Sequence, residues 1–182
     1  MLNQTYNWLK HRERPLLIAT VALQLAVLLS MIAFQATPLI TGETILVRVI
    51  PIDPRDMFRG DYVILSYEFN RVPPEGIEGL PQNLYQADDA VWRGQTVYVT
   101  MAPEPDGVHW HATHYSIYPP DTGTYLRGEL TAPGAISYGI DAFYVQEGTG
   151  LAYEEAIRDR ALSAEIAVAP DGRATLVDLH IE

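Results

Sequence analysis

The sequence predicts a mainly β fold: one N-terminal transmembrane helix, then an antiparallel β barrel or sandwich with one short helix. Three observations carry this. Residues 15–34, PLLIATVALQLAVLLSMIAF, hold no charged side chain. Residues 62–69, YVILSYEF, are almost all β-branched, aromatic or apolar, the composition of a strand. Three pairs of β-prone runs flank the turn sequences EPDG (104–107), APG (132–134) and PDG (170–172).

The apolar segment comes first in the chain. At a rise of 1.5 Å per residue, twenty helical residues span roughly 30 Å, the thickness of the hydrocarbon layer. Pro15 suits the first turn of a helix, where its missing N–H costs nothing. KHRER (10–14) precedes it, and basic residues before an anchor predict a cytoplasmic N-terminus. A cleaved signal peptide has an apolar core of about 7 to 15 residues, shorter than this one. The reading is therefore an uncleaved anchor: a cytoplasmic tail over 1–14, a transmembrane helix over 15–35, a linker over 36–42 and an extracytoplasmic β-rich domain over 43–182. Gln24 falls near mid-bilayer, where an amide can bond a partner helix.

The strands follow in order. ETILVRVI (43–50) alternates, with Thr44 and Leu46 on one face and the pattern interrupted near its end at Val49. In YVILSYEF, Val63, Leu65, Tyr67 and Phe69 share one face by period-2 alternation. NRVPPEGIEGLPQNLYQADDAVWRG (70–94) is a long loop, expected at the surface. Strands follow at 95–102, 107–118, 124–131 and 135–146, then a helix at 151–162, then strands at 161–169 and 173–182.

Charge excludes some functions. Of 182 residues, 12 are Lys or Arg and 23 are Asp or Glu, for a net charge of −11. The first 14 residues carry Lys10, Arg12 and Arg14 against Glu13, a net +2, which leaves −13 for the rest. An acidic domain repels phosphate backbones, so nucleic acid is not an expected partner. It suits a basic soluble partner instead. The chain contains no cysteine, so disulfides, thiolate nucleophiles and cysteine metal sites are excluded.

The densest stretch is PIDPRDMFRGDYVILSYEF (51–69). Asp53, Arg55, Asp56, Arg59 and Asp61 alternate in sign, and Gly60 permits a tight turn just before the strand. Such a segment is expected to be a structural corner, its acids held by Arg forks. The RGD tripeptide (59–61) runs into a strand rather than sitting at a loop tip, against an adhesion role. GDYVILSY (60–67) resembles the pattern that names the bacterial GDYXXLXY family, in Gly60, Asp61, Tyr62, Leu65 and Tyr67. LRGEL (126–130) and YGIDAFYVQEGTG (138–150) resemble later family segments. The resemblance implies a membrane-anchored β domain; the family's function is uncharacterised, and its members are often encoded beside multi-pass membrane proteins.

Two further candidates carry chemistry. HWHATH (109–114) places His109 and His111 at i, i+2, the spacing for two imidazoles on one face of a strand and one transition metal. His114 joins them only if a bulge intervenes. A hydrolase is the other candidate. Ser–Lys chemistry is excluded, because the only lysine, Lys10, precedes the anchor. A Ser-His-Asp set drawn from Ser116, Ser137 or Ser163 with His180 remains formally open, although no GxSxG elbow occurs. With no convergent catalytic set, the sequence points to no catalytic residue and no cofactor. The expectation is a non-enzymatic, single-pass accessory or assembly subunit of a membrane protein complex. The alternative is a metal- or ligand-binding sensor built on HWHATH.

Overall fold

The computed structural model describes residues 2–51, 62–146 and 150–182, and divides the chain into two compact units, Met1–Thr37 and Pro38–Glu182. The first is essentially one helix, α1 (Leu2–Gln35). Its segment Arg14–Gln35 is 22 residues long with a mean hydropathy of 2.5, long and apolar enough to cross a membrane. Pro15 lies inside this helix rather than in its first turn, because the helix continues toward the N-terminus through the polar residues before it. The two hydroxyls of the apolar stretch are satisfied within the helix: Thr20 Oγ1 donates to Leu16 O at 2.9 Å and Ser30 Oγ to Val27 O at 2.7 Å. That is what a segment without water requires of its polar groups. Gln24 is exposed on the helix surface. Residues expected to form a linker are instead a short helix, α2 (Thr37–Thr41).

The second unit is built from antiparallel sheets. β1 (Glu43–Arg48), β8 (Leu162–Val168) and β9 (Ala174–Ile181) form one, in the order β1-β8-β9. β3 (Thr96–Pro103), β4 (Trp110–Ser116), β5 (Tyr125–Ala132) and β6 (Ala135–Ser137) form another, in the order β4-β3-β5-β6. β2 (Tyr62–Ile64) pairs only with β7 (Ala142–Tyr144). The turns EPDG, APG and PDG join β3 to β4, β5 to β6 and β8 to β9, as their sequences predict. A single parallel bridge, Leu46 to His109, links the first sheet to β4. The backbone bond from Arg127 N–H to Gly172 O (2.7 Å) links β5 to the β8–β9 turn. The core therefore lies between the two sheets, which touch where β1 runs beside the start of β4 and again where β5 meets the β8–β9 turn.

Four sequence readings need correction. On β1 the face that goes inward is that of Ile45 and Val47, continued past its end by Val49, and not the alternating face of Thr44 and Leu46. The chain at 62–69 keeps its alternation, with Val63, Leu65, Tyr67 and Phe69 all buried, but pairs as a strand only over Tyr62–Ile64. A 3-10 turn at Glu68–Asn70 ends it, so this is a short two-stranded pairing and not a central strand. The predicted strand 135–146 is split into β6 and β7 at Gly139, whose φ of +73° breaks extended geometry. The 70–94 segment, expected at the surface, drives Ile77, Leu84 and Trp92 into the core and contains helix α3 (Asp89–Trp92). Helix α4 (Gly150–Arg158) buries Ala156 and Ile157.

Aromatic rings knit the core. Tyr67 and Phe69 stack at 5.0 Å, and Tyr138 meets Phe69 edge-on at 5.2 Å. Both phenols find backbone partners: Tyr67 Oη donates to Ile140 O at 3.0 Å and Tyr138 Oη to Phe69 O at 2.8 Å. Asn70 ties the same region, accepting Tyr67 N–H at 2.7 Å and donating to Ile136 O at 2.9 Å. Gly128 leaves room for this packing. A Cβ there would stand 2.6 Å from Ile136 Cγ2 and 2.8 Å from Tyr138 Cε1.

Two stability predictions follow from this packing. Tyr67→Phe strips the donor from a buried carbonyl and should cost about 1–3 kcal/mol in a urea unfolding curve of the β domain. Gly128→Ala should lower the midpoint as well, since backbone or ring must move to admit the methyl. An unchanged midpoint in both variants would remove these contacts from the account of the core.

Candidate functional site

Two polar features stand out on the β domain, and they share residues. The first is a groove of about 1080 Å³ between β4 and the segment from Glu68 to Gln82. Trp110, Ala112 and Tyr115 line it from β4, Val72 and Ile77 from the facing segment. Glu68, Glu75, Glu78 and Glu104 supply its acids, against Arg48 and Arg71. Burial, then the carboxylates of Glu68 and Glu75, push the Tyr115 phenol up to about 12.

The second feature is a hydrogen-bonded chain centred on two buried side chains, His109 and Ser163. The β3–β4 turn places Asp106 so that its Oδ1 accepts the N–H groups of Val108 and His109, both at 2.9 Å. Its Oδ2 meets His109 Nδ1 at 2.7 Å and Arg48 at 2.7 Å. On the other side of the ring, His109 Nε2 lies 3.0 Å from Ser163 Oγ and 2.9 Å from Glu182 Oε1. Ser163 donates its hydroxyl to that same Glu182 oxygen at 2.6 Å. Arg48 also reaches Glu104 at 3.4 Å, so Arg48 and Glu104 belong both to this chain of contacts and to the groove. His109 and Ser163 are buried, at 5% and 1% exposure.

The arrangement of Asp106, His109 and Ser163 has the order and distances of a nucleophile, its base and the group that orients the base. One contact departs from that scheme. The Ser163 proton is directed at Glu182, not at His109, and acceptors stand at both ring nitrogens. As arranged, the five side chains make a charge-assisted clamp between β1, the β3–β4 turn and β8. The Asp106 carboxyl is held well below the usual range, chiefly by the backbone N–H groups of His109 and Val108 and then by the ring. Glu182 is also lowered, first by the Ser163 hydroxyl, with His109 and Arg48 adding to it against the cost of burial.

The sequence-predicted residues distribute as follows. Asp53, Arg55, Asp56, Arg59, Gly60 and Asp61 lie outside the described residues. Tyr62 pairs through its backbone with Tyr144, while Leu65 and Tyr67 are buried at 2% and 0% exposure. Those two motif residues therefore work in the core. The three histidines part company. His109 turns into the clamp, with both ring nitrogens engaged. A bulge leaves Thr113 extra on β4, so His111 opposite Ala102 and His114 opposite Thr100 share a face. His111 is exposed, and His114 Nε2 lies 2.8 Å from Glu78. Among the described residues, no group of three His, Asp or Glu side chains is placed to hold a metal. The hydrolase candidates resolve in the same way. His180 meets Glu165 at 2.7 Å, Ser137 donates to Asp141 at 2.8 Å, and Ser116 accepts Tyr118 N–H at 3.0 Å. Ser163 alone of these serines reaches a histidine, and the histidine is His109 rather than His180.

A family model described as GDYXXLXY protein matches residues 24–179. No curated protein and no solved structure matches the chain.

The clamp makes acid stability predictable. Asp106 and Glu182 have folded values below their unfolded ones, so their ionised forms stabilise the fold. That contribution is complete above the ordinary carboxylate range, about pH 4–5, and is lost as pH falls through the depressed values. Melting temperature should therefore begin to drop as pH falls below about 4–5 and go on dropping below pH 3, and Asp106→Asn should be less stable at pH 7 with a shallower acid drop. Parallel curves for variant and parent would show that the clamp contributes nothing to acid stability.

Proposed function

The chain belongs to the GDYXXLXY family, and from that premise we propose a non-enzymatic accessory or assembly subunit of a larger membrane protein complex, anchored by a single pass. The helix stands in the lipid bilayer with the N-terminus cytoplasmic, and the acidic β domain lies outside the cytoplasm as the interaction module. Basic residues before the anchor support that orientation. The observation that carries the reading is the groove along β4, about 1080 Å³ with four Glu and two Arg on its walls. Such a surface favours a partner with basic character. Gln24 offers a second contact, in the membrane.

The experiment is extraction of native membranes in mild detergent, followed by a native gel and identification of co-migrating chains. A band larger than the 20.3 kDa chain with its detergent, holding at least one multi-pass partner, is the expected result. A chain that migrates alone under several mild detergents sinks the reading.

The contact between Ser163 and His109 favours a second reading, an outer-face hydrolase. It requires Glu182 to leave, so that the Ser163 proton passes to His109 Nε2. A fluorophosphonate probe should then label wild-type or Glu182→Ala protein at Ser163, and Ser163→Ala should not label. Absence of labelling in both the wild type and Glu182→Ala removes this reading.

A further inference from the structure

The groove contains an unpaired strand edge, and its backbone geometry can be worked out. Met101 donates its N–H to Thr124 O at 2.9 Å, on the β5 side. Its cross-strand partner is Ala112. Opposed residues of an antiparallel pair turn their polar groups the same way, both toward each other or both apart. Ala112 therefore turns its N–H and C=O away from β3 and into the groove it lines.

The edge is bounded on both sides. His109 bridges to Leu46, and Ser116 bridges to Glu78. At that second bridge Glu78 N–H reaches Tyr115 O at 2.9 Å and Ile117 N–H reaches Glu78 O at 3.0 Å, so the chain has begun to pair there and then veers off. Between the bridges, no strand among the described residues lies beside Trp110–His114. Five residues of strand cover roughly 17 Å, a usual strand length. An open edge of that length is a template for another strand.

Charge selects the occupant. Among the described residues, no cation pairs with Glu68 or Glu75, although both bear on the Tyr115 hydroxyl. Arg48 is already committed to Asp106 and Glu104. A second copy would bring the same acids to the same edge, from a domain of net −13 by sequence. We propose that this groove receives an extended basic segment of a partner protein, which adds as a strand to the outer edge of β4 over Trp110–His114 and sets its cations against Glu68 and Glu75. The apolar wall of Val72, Ile77 and Trp110 accepts the alternate side chains. The inference rests on the accessory-subunit reading above and names the kind of partner segment that surface takes.

The test uses the full chain in a non-ionic detergent and a short, capped, fluorescent peptide of alternating Lys and Val, followed by anisotropy. Saturable binding is expected. Methylation of alternate peptide amides, or replacement of Lys by Glu, should weaken it about tenfold or more. Ala112→Pro removes the outward N–H without touching the β3 ladder, and should weaken binding to the same degree. Glu68→Gln with Glu75→Gln should do so as well. If Ala112→Pro misfolds by circular dichroism, the glutamine pair and the methylated peptide decide. No saturation up to about 1 mM overturns the proposal, since that is weaker than a specific edge should bind. Equal binding of the methylated peptide overturns it too, by showing charge without strand pairing. Doubling of the protein's own mass in sedimentation, lost in the glutamine pair, would assign the edge to a second copy and overturn it. A chain that takes the peptide but migrates alone on a native gel sinks the accessory reading and spares the edge. A chain with a co-migrating partner that ignores the peptide does the reverse.

Discussion

The hydroxyl of Tyr67 is buried beneath the short β2 strand and spends its proton on Ile140 O, 3.0 Å away. Burial, with Asp141 nearby, pushes that phenol far above its ordinary value, so it remains a donor throughout the working pH range. The bond fixes more than itself. Asp141 O accepts Leu65 N–H at 2.9 Å, and its carboxylate takes Ser137 at 2.8 Å and Asn70 at 3.2 Å. Through these contacts the 63–70 segment is locked to the β6–β7 segment, although over seventy residues separate Tyr67 from Ile140. The Tyr67 hydroxyl and the Ile140 carbonyl are buried and would be left unsatisfied if either moved, and the part-buried Asn70, Ser137 and Asp141 side chains extend the same network. That mutual dependence fixes one position for a segment that makes little ordinary strand pairing.

This arrangement explains which parts of the fold were legible in sequence. Hairpins between turn signals can be read because both strands and the turn are local; β3–β4, β5–β6 and β8–β9 are of this kind. The face of β1 was not legible. Ile45 and Leu46 are equally apolar and face opposite ways, and only pairing and packing decide which goes inward. The 62–69 run has the composition of a full strand, yet tertiary bonds from Asn70 and Asp141 capture its backbone before a ladder can extend. Gly139 splits a second β-prone run for a reason visible as a single residue and easily discounted.

The clamp was illegible for a different reason. Asp106, His109, Ser163 and Glu182 come from the β3–β4 turn, the start of β4, β8 and the residue after β9. No spacing rule joins them; strand order does. HWHATH drew attention to the right segment with the wrong grouping, because periodicity places His109 with His111 while burial separates them. The histidine with the fewest water contacts is the one in the polar network, which follows from the cost of burying an imidazole without partners.

The motif and the groove are linked through alternation. Leu65, Tyr67 and Phe69 point into the core, so Glu68 between the last two must point out, and it does so on the groove wall. The Tyr67–Phe69 stack holds that backbone still, and the Tyr67–Asn70 bond tightens the turn beneath it. At the same time Arg48 shares its guanidinium between the clamp and the acids that line the groove. A side chain on the groove wall is thus positioned by one network and its charge balance set by another. Substitutions at Tyr67 should therefore act on the groove through the placement of Glu68, and substitutions at Asp106 through the freedom of Arg48, although neither residue lines it. The motif governs the groove without lining it: the Tyr67 ring decides where the neighbouring carboxylate stands.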